Sequence, residues 1–185
     1  MDDESNDAID ALKHLNKLYT NIIQEGMQWA TELPIVICGF SKGCVVLNQI
    51  CRELLSFTLK NDDNQLNSFV NRLKHFIWLD GGHSGTSGAW LTENNVVINL
   101  FKLNVHLYIY ATPYQISENN PKKWAIKEYK VFLDLLSKYS GGGSYKSKLY
   151  YLNEKNIYDE KNYEIEAHFK ILRLFDCNLI ENCRE

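Results

Sequence analysis

The sequence predicts an α/β fold in which a mostly parallel sheet of about four strands carries helices on both faces. Two observations lead to this prediction. Short apolar, β-branched segments alternate along the chain with longer segments of helical periodicity, as in β-α-β crossovers. The short segments are also continuously apolar, which is typical of strands buried on both faces. With 185 residues, the chain has the length of a single domain, residues 1–185.

The first elements are a helix, a strand and a second helix. Residues 5–31 place apolar side chains at helical spacing, and Pro34 ends any helix. Residues 35–38 are apolar and β-branched, which predicts a strand. Glycines interrupt this run, and helical spacing returns over residues 45–55.

Three further strands and their helices follow, each bounded by loop residues. The predicted strands cover residues 76–79, 105–111 and 149–152, and the predicted helices cover 66–73, 92–102, 121–139 and 163–175.

Composition and charge exclude several classes of function. The net charge of −3 gives no basic footprint for nucleic acid. We expect no transmembrane segment, because no window is apolar for 18 residues, and the acidic N-terminus lacks the features of a targeting segment. The five cysteines are expected to be buried free thiols, with a bond between Cys177 and Cys183 as the alternative.

The strongest chemical motif is the run Gly39-Phe40-Ser41-Lys42-Gly43. It matches G-x-S-x-G, follows a predicted strand and opens a predicted helix, as a nucleophile elbow requires. Such a turn leaves little room for side chains at either glycine, and the next helix directs its free N–H groups toward the serine. We therefore expect Ser41 to be the nucleophile, Lys42 N–H an oxyanion donor and Phe40 a pocket residue. A plain strand-to-helix turn is the alternative.

A serine nucleophile needs a base, and the base needs a group that orients it. Asp80 directly follows the second predicted strand, so it lies at the carboxyl edge of the sheet and is the expected acid. The chain order Ser, Asp, His favours His168 as the base. His83 is the alternative base or a pocket residue. A turn aspartate and a surface histidine are the structural alternatives, and a metal site is not expected.

Four segments together resemble one protein family. They are GFSKGCVVLNQ at 39–49, WLDGGHSG at 78–85, TPYQ at 112–115 and residues 164–169. They resemble the family typified by human chromosome-2 open reading frame 69, over about residues 34–172. The resemblance implies an α/β-hydrolase-like fold, a serine hydrolase without a cofactor and, for animal members, a mitochondrial setting. By position, Ser41, Asp80 and His168 match its elbow serine, motif aspartate and late histidine.

The chain departs from that family on the N-terminal side of the elbow. Only 40 residues precede Ser41, so we expect a truncated domain that lacks the N-terminal strands and the second oxyanion loop. Hydrolysis of an ester or other acyl substrate is then expected to be impaired, and the first strand to have an unpaired edge. A non-catalytic binding or scaffold protein of the same fold is the alternative. Without a targeting segment, the cytoplasm is the alternative location.

Overall fold

Helices and strands alternate through the computed structural model, which describes residues 10–60, 64–82, 85, 87–118, 120–140, 145–149 and 165–175. The strands are Ile35–Phe40 (β1), Leu73–Leu79 (β2), His106–Ala111 (β3) and Tyr145–Leu149 (β4). The helices are Asp10–Gln24 (α1), Gly43–Lys60 (α2), Asn64–Asn71 (α3), Asn94–Lys102 (α4), Pro113–Ile116 (α5), Lys123–Tyr139 (α6) and Ile165–Leu174 (α7). None of the helices in these ranges is both long and apolar enough to cross a bilayer.

The strands β1, β2 and β3 form a parallel sheet in chain order, and β4 pairs in parallel with β3. Phe40 pairs with Leu79, and Leu79 pairs with Tyr110. Because the strands are parallel and in register, the segments that follow them leave the same edge of the sheet side by side. This edge positions the candidate site described below.

Alternate side chains of the sheet pack against helices on opposite faces. On one face, Phe76 and Trp78 belong to a large core with the buried residues of α2, α4 and α6. On the other face, Ile77 and Leu79 pack with Tyr108, Tyr110 and the α7 residue Ile171 in a smaller core. A mixed α/β fold with a parallel sheet flanked by helices is therefore present, as the alternation of patterns predicted.

Several predicted boundaries are wrong, and three of them change where an element lies. The helix expected over residues 5–31 ends at Gln24, since Gly26 takes a φ of 139° and a short 3-10 turn, Gln28–Ala30, follows. Leu73, predicted at the end of a helix, begins β2. The strand expected at 149–152 begins earlier, at Tyr145, and residues 150–152 lie outside the described ranges.

The prediction that the first strand is buried on both faces is also wrong. Among the described strands β1 pairs with β2 alone, so it has the unpaired edge that the sequence analysis expected. Val36 is 38% exposed, and Cys38 is exposed although a buried thiol was expected. Cys44 and Cys51 are buried free thiols as predicted, and burial raises the pKa of both. Cys177 and Cys183 lie outside the described residues.

Candidate active site

Ser41 lies on a tight turn between β1 and α2. Its φ of 55° is in the left-handed region, which a non-glycine residue adopts only at a cost of about 1–3 kcal/mol. Its N–H donates to the Leu79 carbonyl at 3.0 Å, and its own carbonyl accepts from the Cys44 N–H at 3.1 Å. The turn is therefore fixed to the next strand on one side and to the first turn of α2 on the other.

The two glycines of the turn are required to different degrees. A Cβ at Gly39 would lie 2.8 Å from the carbonyl oxygen of Gly43, a backbone atom that cannot move aside cheaply. A Cβ at Gly43 would meet no heavy atom within 4 Å. The expectation that both glycines are needed to avoid a clash is correct for Gly39 and wrong for Gly43, because the space beside the first turn of α2 is open.

Asp80 directly follows β2 and is fully buried. Its φ of 50° also lies in the left-handed region, and its N–H donates to the Tyr110 carbonyl at 2.8 Å. At Gly82, two residues after Asp80, the φ is 137°, and a Cβ added there would lie 2.4 Å from the Gln115 side-chain oxygen. The backbone around Asp80 is thus bonded to β3 and packed closely against Gln115.

Three hydrogen-bonding groups surround the Asp80 carboxylate. The Thr112 N–H donates to Oδ1 at 2.6 Å, and the Thr112 hydroxyl lies 2.8 Å from Oδ2 and 3.0 Å from Oδ1. His168 Nδ1 lies 2.7 Å from Oδ2, and both side chains are buried. An ionised carboxylate only accepts, and a neutral imidazole that donates to it from Nδ1 has its lone pair on Nε2. This is the tautomer that a general base needs.

Aromatic rings enclose the His168 imidazole. The ring of Phe40 stacks on it with centroids 4.7 Å apart, and those of Phe169 and Tyr114 lie at 5.3 and 5.5 Å. Phe40 is the residue before Ser41, so the stack places the histidine beside the elbow. The structure therefore brings Asp80 and His168 into direct contact, next to the turn that carries Ser41.

Side chains of two helices anchor the loop residues Gly88, Ala89 and Trp90. Glu128 on α6 accepts hydrogen bonds from the N–H groups of Gly88, Ala89 and Trp90 at 2.8–3.2 Å. Asn48 on α2 donates to the carbonyls of the first two of these residues. These bonds hold the Trp90 ring beside Gly81, where a Cβ would lie 3.2 Å from the ring. Neither Glu128 nor Asn48 was predicted from the sequence as an anchor of this loop.

The other predicted site residues have mixed outcomes. Phe40 is half-buried at the site, and Lys42 is exposed at the start of α2. His83 lies outside the described residues. Within the described ranges, no cluster of three His, Cys, Asp or Glu side chains could hold a metal ion. A cleft of about 540 Å³ lies elsewhere, between α1 and α3, and contains none of the predicted site residues.

Thr112 is a site residue that sequence reasoning missed. It appeared there only as part of the motif TPYQ at 112–115. Its position offered a signal, because it directly follows β3 and the carboxyl ends of parallel strands share one edge. Its partner could not be inferred, since the contact joins residues 32 positions apart.

Comparisons with known proteins agree on one family. A family model described as C2orf69 matches residues 25–141, a range that includes Ser41 and Asp80 but not His168. The human "Mitochondrial protein C2orf69" is 34% identical over 144 residues, which cover 78% of this chain and 34% of the human protein. The zebrafish (Danio rerio) homolog is 32% identical over 180 residues, covering 89% of this chain and 49% of that protein.

The mouse homolog gives a similar match, 34% identical over 139 residues that cover 75% of this chain and 34% of the mouse protein. The chain therefore spans about a third of the length of the two mammalian relatives and about half of the zebrafish relative. No solved structure matches it.

Proposed function

The chain belongs to the C2orf69 family, and from this premise and the geometry of its site we propose that it is an α/β-hydrolase-like serine hydrolase acting on an ester or other acyl substrate. The observation that carries the proposal is the buried contact of 2.7 Å between Asp80 Oδ2 and His168 Nδ1 beside the Ser41 turn. A buried carboxylate–imidazole pair next to an elbow serine is the arrangement that activates a hydroxyl.

In the proposed reaction the Ser41 hydroxyl attacks the acyl carbon while His168 Nε2 takes its proton. The Asp80 carboxylate holds the ring in the required tautomer and balances the positive charge on the imidazolium. The Lys42 N–H, at the start of α2, would donate to the developing oxyanion. His168 then returns the proton to the leaving group, and water attacks the resulting acyl-Ser41 by the same route in reverse.

We further propose a mitochondrial setting for this activity. It rests on the names of the human, mouse and zebrafish relatives, which all describe a mitochondrial protein. Fractionation of cells that express the tagged protein tests it. Recovery with the cytosolic fraction alone would overturn this part of the proposal.

Labelling with a fluorophosphonate probe tests the hydrolase. The Ser41 oxygen would form a bond to phosphorus, fluoride would leave, and the serine proton would pass to His168. We expect wild type to be labelled, Ser41→Ala to show no label, and His168→Gln to react on the order of 1000-fold more slowly. Ser137→Ala, at an exposed serine on α6, is the matched control and should react like wild type.

Thermal unfolding of each variant separates loss of chemistry from loss of fold. A folded wild-type protein that takes no label, or a Ser41→Ala protein labelled as fast as wild type, would overturn the hydrolase. The first of these results would favour the non-catalytic binding or scaffold protein instead.

A further inference from the structure

The helix α7, which carries His168, has apolar side chains on two faces. Ala167, His168 and Ile171 are buried against the sheet, as expected for a packed helix. The exposed residues on the other face include three large apolar side chains at positions i, i+4 and i+7, which we call the α7 ridge. They are Ile165, Phe169 and Leu172, which are 48%, 56% and 47% exposed.

An exposed apolar ridge is informative because helices of soluble proteins usually present polar side chains to water. Contiguous exposed apolar surface marks a site of interaction more often than scattered single residues do. Lys170 and Arg173 on the same helix are also exposed, so the ridge is flanked by charge rather than joined to a larger apolar face.

The α7 ridge is continuous with the candidate active site. The Phe169 ring lies 5.3 Å from the His168 ring and 6.0 Å from the Phe40 ring, and Phe40 stacks on His168. A substrate whose acyl carbon lies between Ser41 and His168 therefore has apolar surface within reach on the side of Phe169. This continuity indicates that part of the substrate occupies the α7 ridge.

We propose that the α7 ridge binds the hydrocarbon chain of the substrate, so that the enzyme prefers medium- or long-chain acyl groups over short ones. This inference rests on the proposed hydrolase. Ile165 and Leu172 are seven residues apart, which at 1.5 Å per residue spans about 10 Å. An extended acyl chain of about nine carbons has this length, since each bond of about 1.5 Å advances the zigzag chain by about 1.25 Å.

Paired fluorophosphonates with an ethyl or an octyl chain test the preference. Full burial of a methylene is worth about fourfold in affinity, and a chain lying on an open ridge buries roughly half of its surface, giving about twofold per methylene. The octyl probe should therefore inactivate the protein roughly 30- to 100-fold faster than the ethyl probe. Equal rates for the two probes would overturn the inference.

Substitutions on α7 should change the ratio of the two rates. We expect Leu172→Gln to lower the octyl-to-ethyl ratio by roughly fivefold, since glutamine keeps helix propensity but removes apolar surface. Leu59→Gln is the matched control. Leu59 is 79% exposed in the last turn of α2, about 24 Å along that helix from its start beside Ser41. A ratio that falls equally in both variants would overturn the assignment to the ridge.

Binding without chemistry separates this inference from the proposed hydrolase. A dansyl-labelled fatty acid, kept below its micellar concentration, should bind the Ser41→Ala protein, and binding should weaken roughly fivefold when Leu172→Gln is added. If the fatty acid binds and Leu172→Gln weakens its binding, but neither fluorophosphonate labels the wild type, the ridge binds acyl chains and the proposed hydrolase function is wrong. If the added substitution leaves binding unchanged, or only disrupts a dimer in sedimentation, the inference is wrong.

Discussion

Asp80 is the residue on which the site depends most. It is fully buried, its backbone takes a left-handed conformation, and its carboxylate accepts from Thr112 and faces His168. Ser41 shares the left-handed conformation, and the other described non-glycine residue with positive φ is Asn104. Because Asp and Asn tolerate this conformation better than other non-glycine residues, the backbone strain is greatest at Ser41, as is typical of a functional position.

The Thr112 hydroxyl should support Asp80 measurably. We expect Thr112→Val to lower the free energy of unfolding by about 1–3 kcal/mol, the usual cost of losing a hydrogen bond to a charged group. The rate of fluorophosphonate labelling should fall roughly tenfold, because a less fixed carboxylate orients His168 less well. Urea unfolding and labelling kinetics measure the two effects.

Thr112→Ser is the control for that substitution. It keeps the hydroxyl and should recover most of the labelling rate. A labelling rate that is unchanged in Thr112→Val, or that stays low in Thr112→Ser, would show that the hydroxyl does not position the carboxylate.

At the scale of elements, the β1–α2 turn depends on how closely the helix approaches the strand. The Gly39 position is closed by backbone atoms of Gly43 and Cys44 at 2.8–3.0 Å, whereas the Gly43 position is open. Gly39 thus permits the close packing of the turn, whereas the space beside Gly43 is open.

Two alanine substitutions test this difference. We expect Gly39→Ala to lower the free energy of unfolding by about 3 kcal/mol, because the added Cβ must displace backbone. Gly43→Ala should raise it by about 0.5–1 kcal/mol, since alanine is favoured over glycine in a helix. Urea unfolding measures both changes, and each variant is the control for the other. Equal destabilisation by both would contradict the open space at residue 43.

At the scale of the whole molecule, the sheet joins two unequal cores, and the smaller one carries a buried histidine. His75 on β2 is buried, its ring stacks on that of His106 at 5.1 Å, and no partner for its Nδ1 is found in the described part of the chain. Burial, with smaller contributions from His106 and Lys74, lowers the pKa of His75 below its usual 6.5.

This shift makes stability depend on pH. Because the unfolded chain binds the proton more tightly, the free energy of unfolding has its full value above about pH 6.5 and falls as the pH decreases below it. We expect His75→Phe to remove that part of the decrease, measured by urea unfolding at roughly pH 7.5 and 5.5. His14→Gln, at an exposed histidine, is the control. Identical pH slopes for His75→Phe and wild type would contradict the prediction.

The outer strand also matters at this scale. Among the described strands β1 lies at the edge of the sheet, with Val36 and Cys38 exposed. Unpaired apolar edges favour association with other chains. We therefore predict that this edge promotes association with other chains.

Local patterns in the sequence were sufficient for the alternation of strands and helices and for the turn at Ser41. Periodicity, β-branching and the spacing of Gly39 and Ser41 are properties of neighbouring residues, so they can be read without knowing what packs against them. Asp80 and His168 were selected by chain order and strand ends, and they lie in contact. Their catalytic roles remain predictions.

Only the tertiary structure decided the exposure of Val36 and Cys38 on β1, the open space at Gly43, the bonds of Thr112 to Asp80 and the exposed ridge of α7. Each depends on which distant segments meet. An apolar run such as residues 35–38 has the same pattern at the edge of a sheet as at its centre, and Thr112 contacts a residue 32 positions away. Contacts between distant segments determine these features, and local periodicity does not predict such contacts.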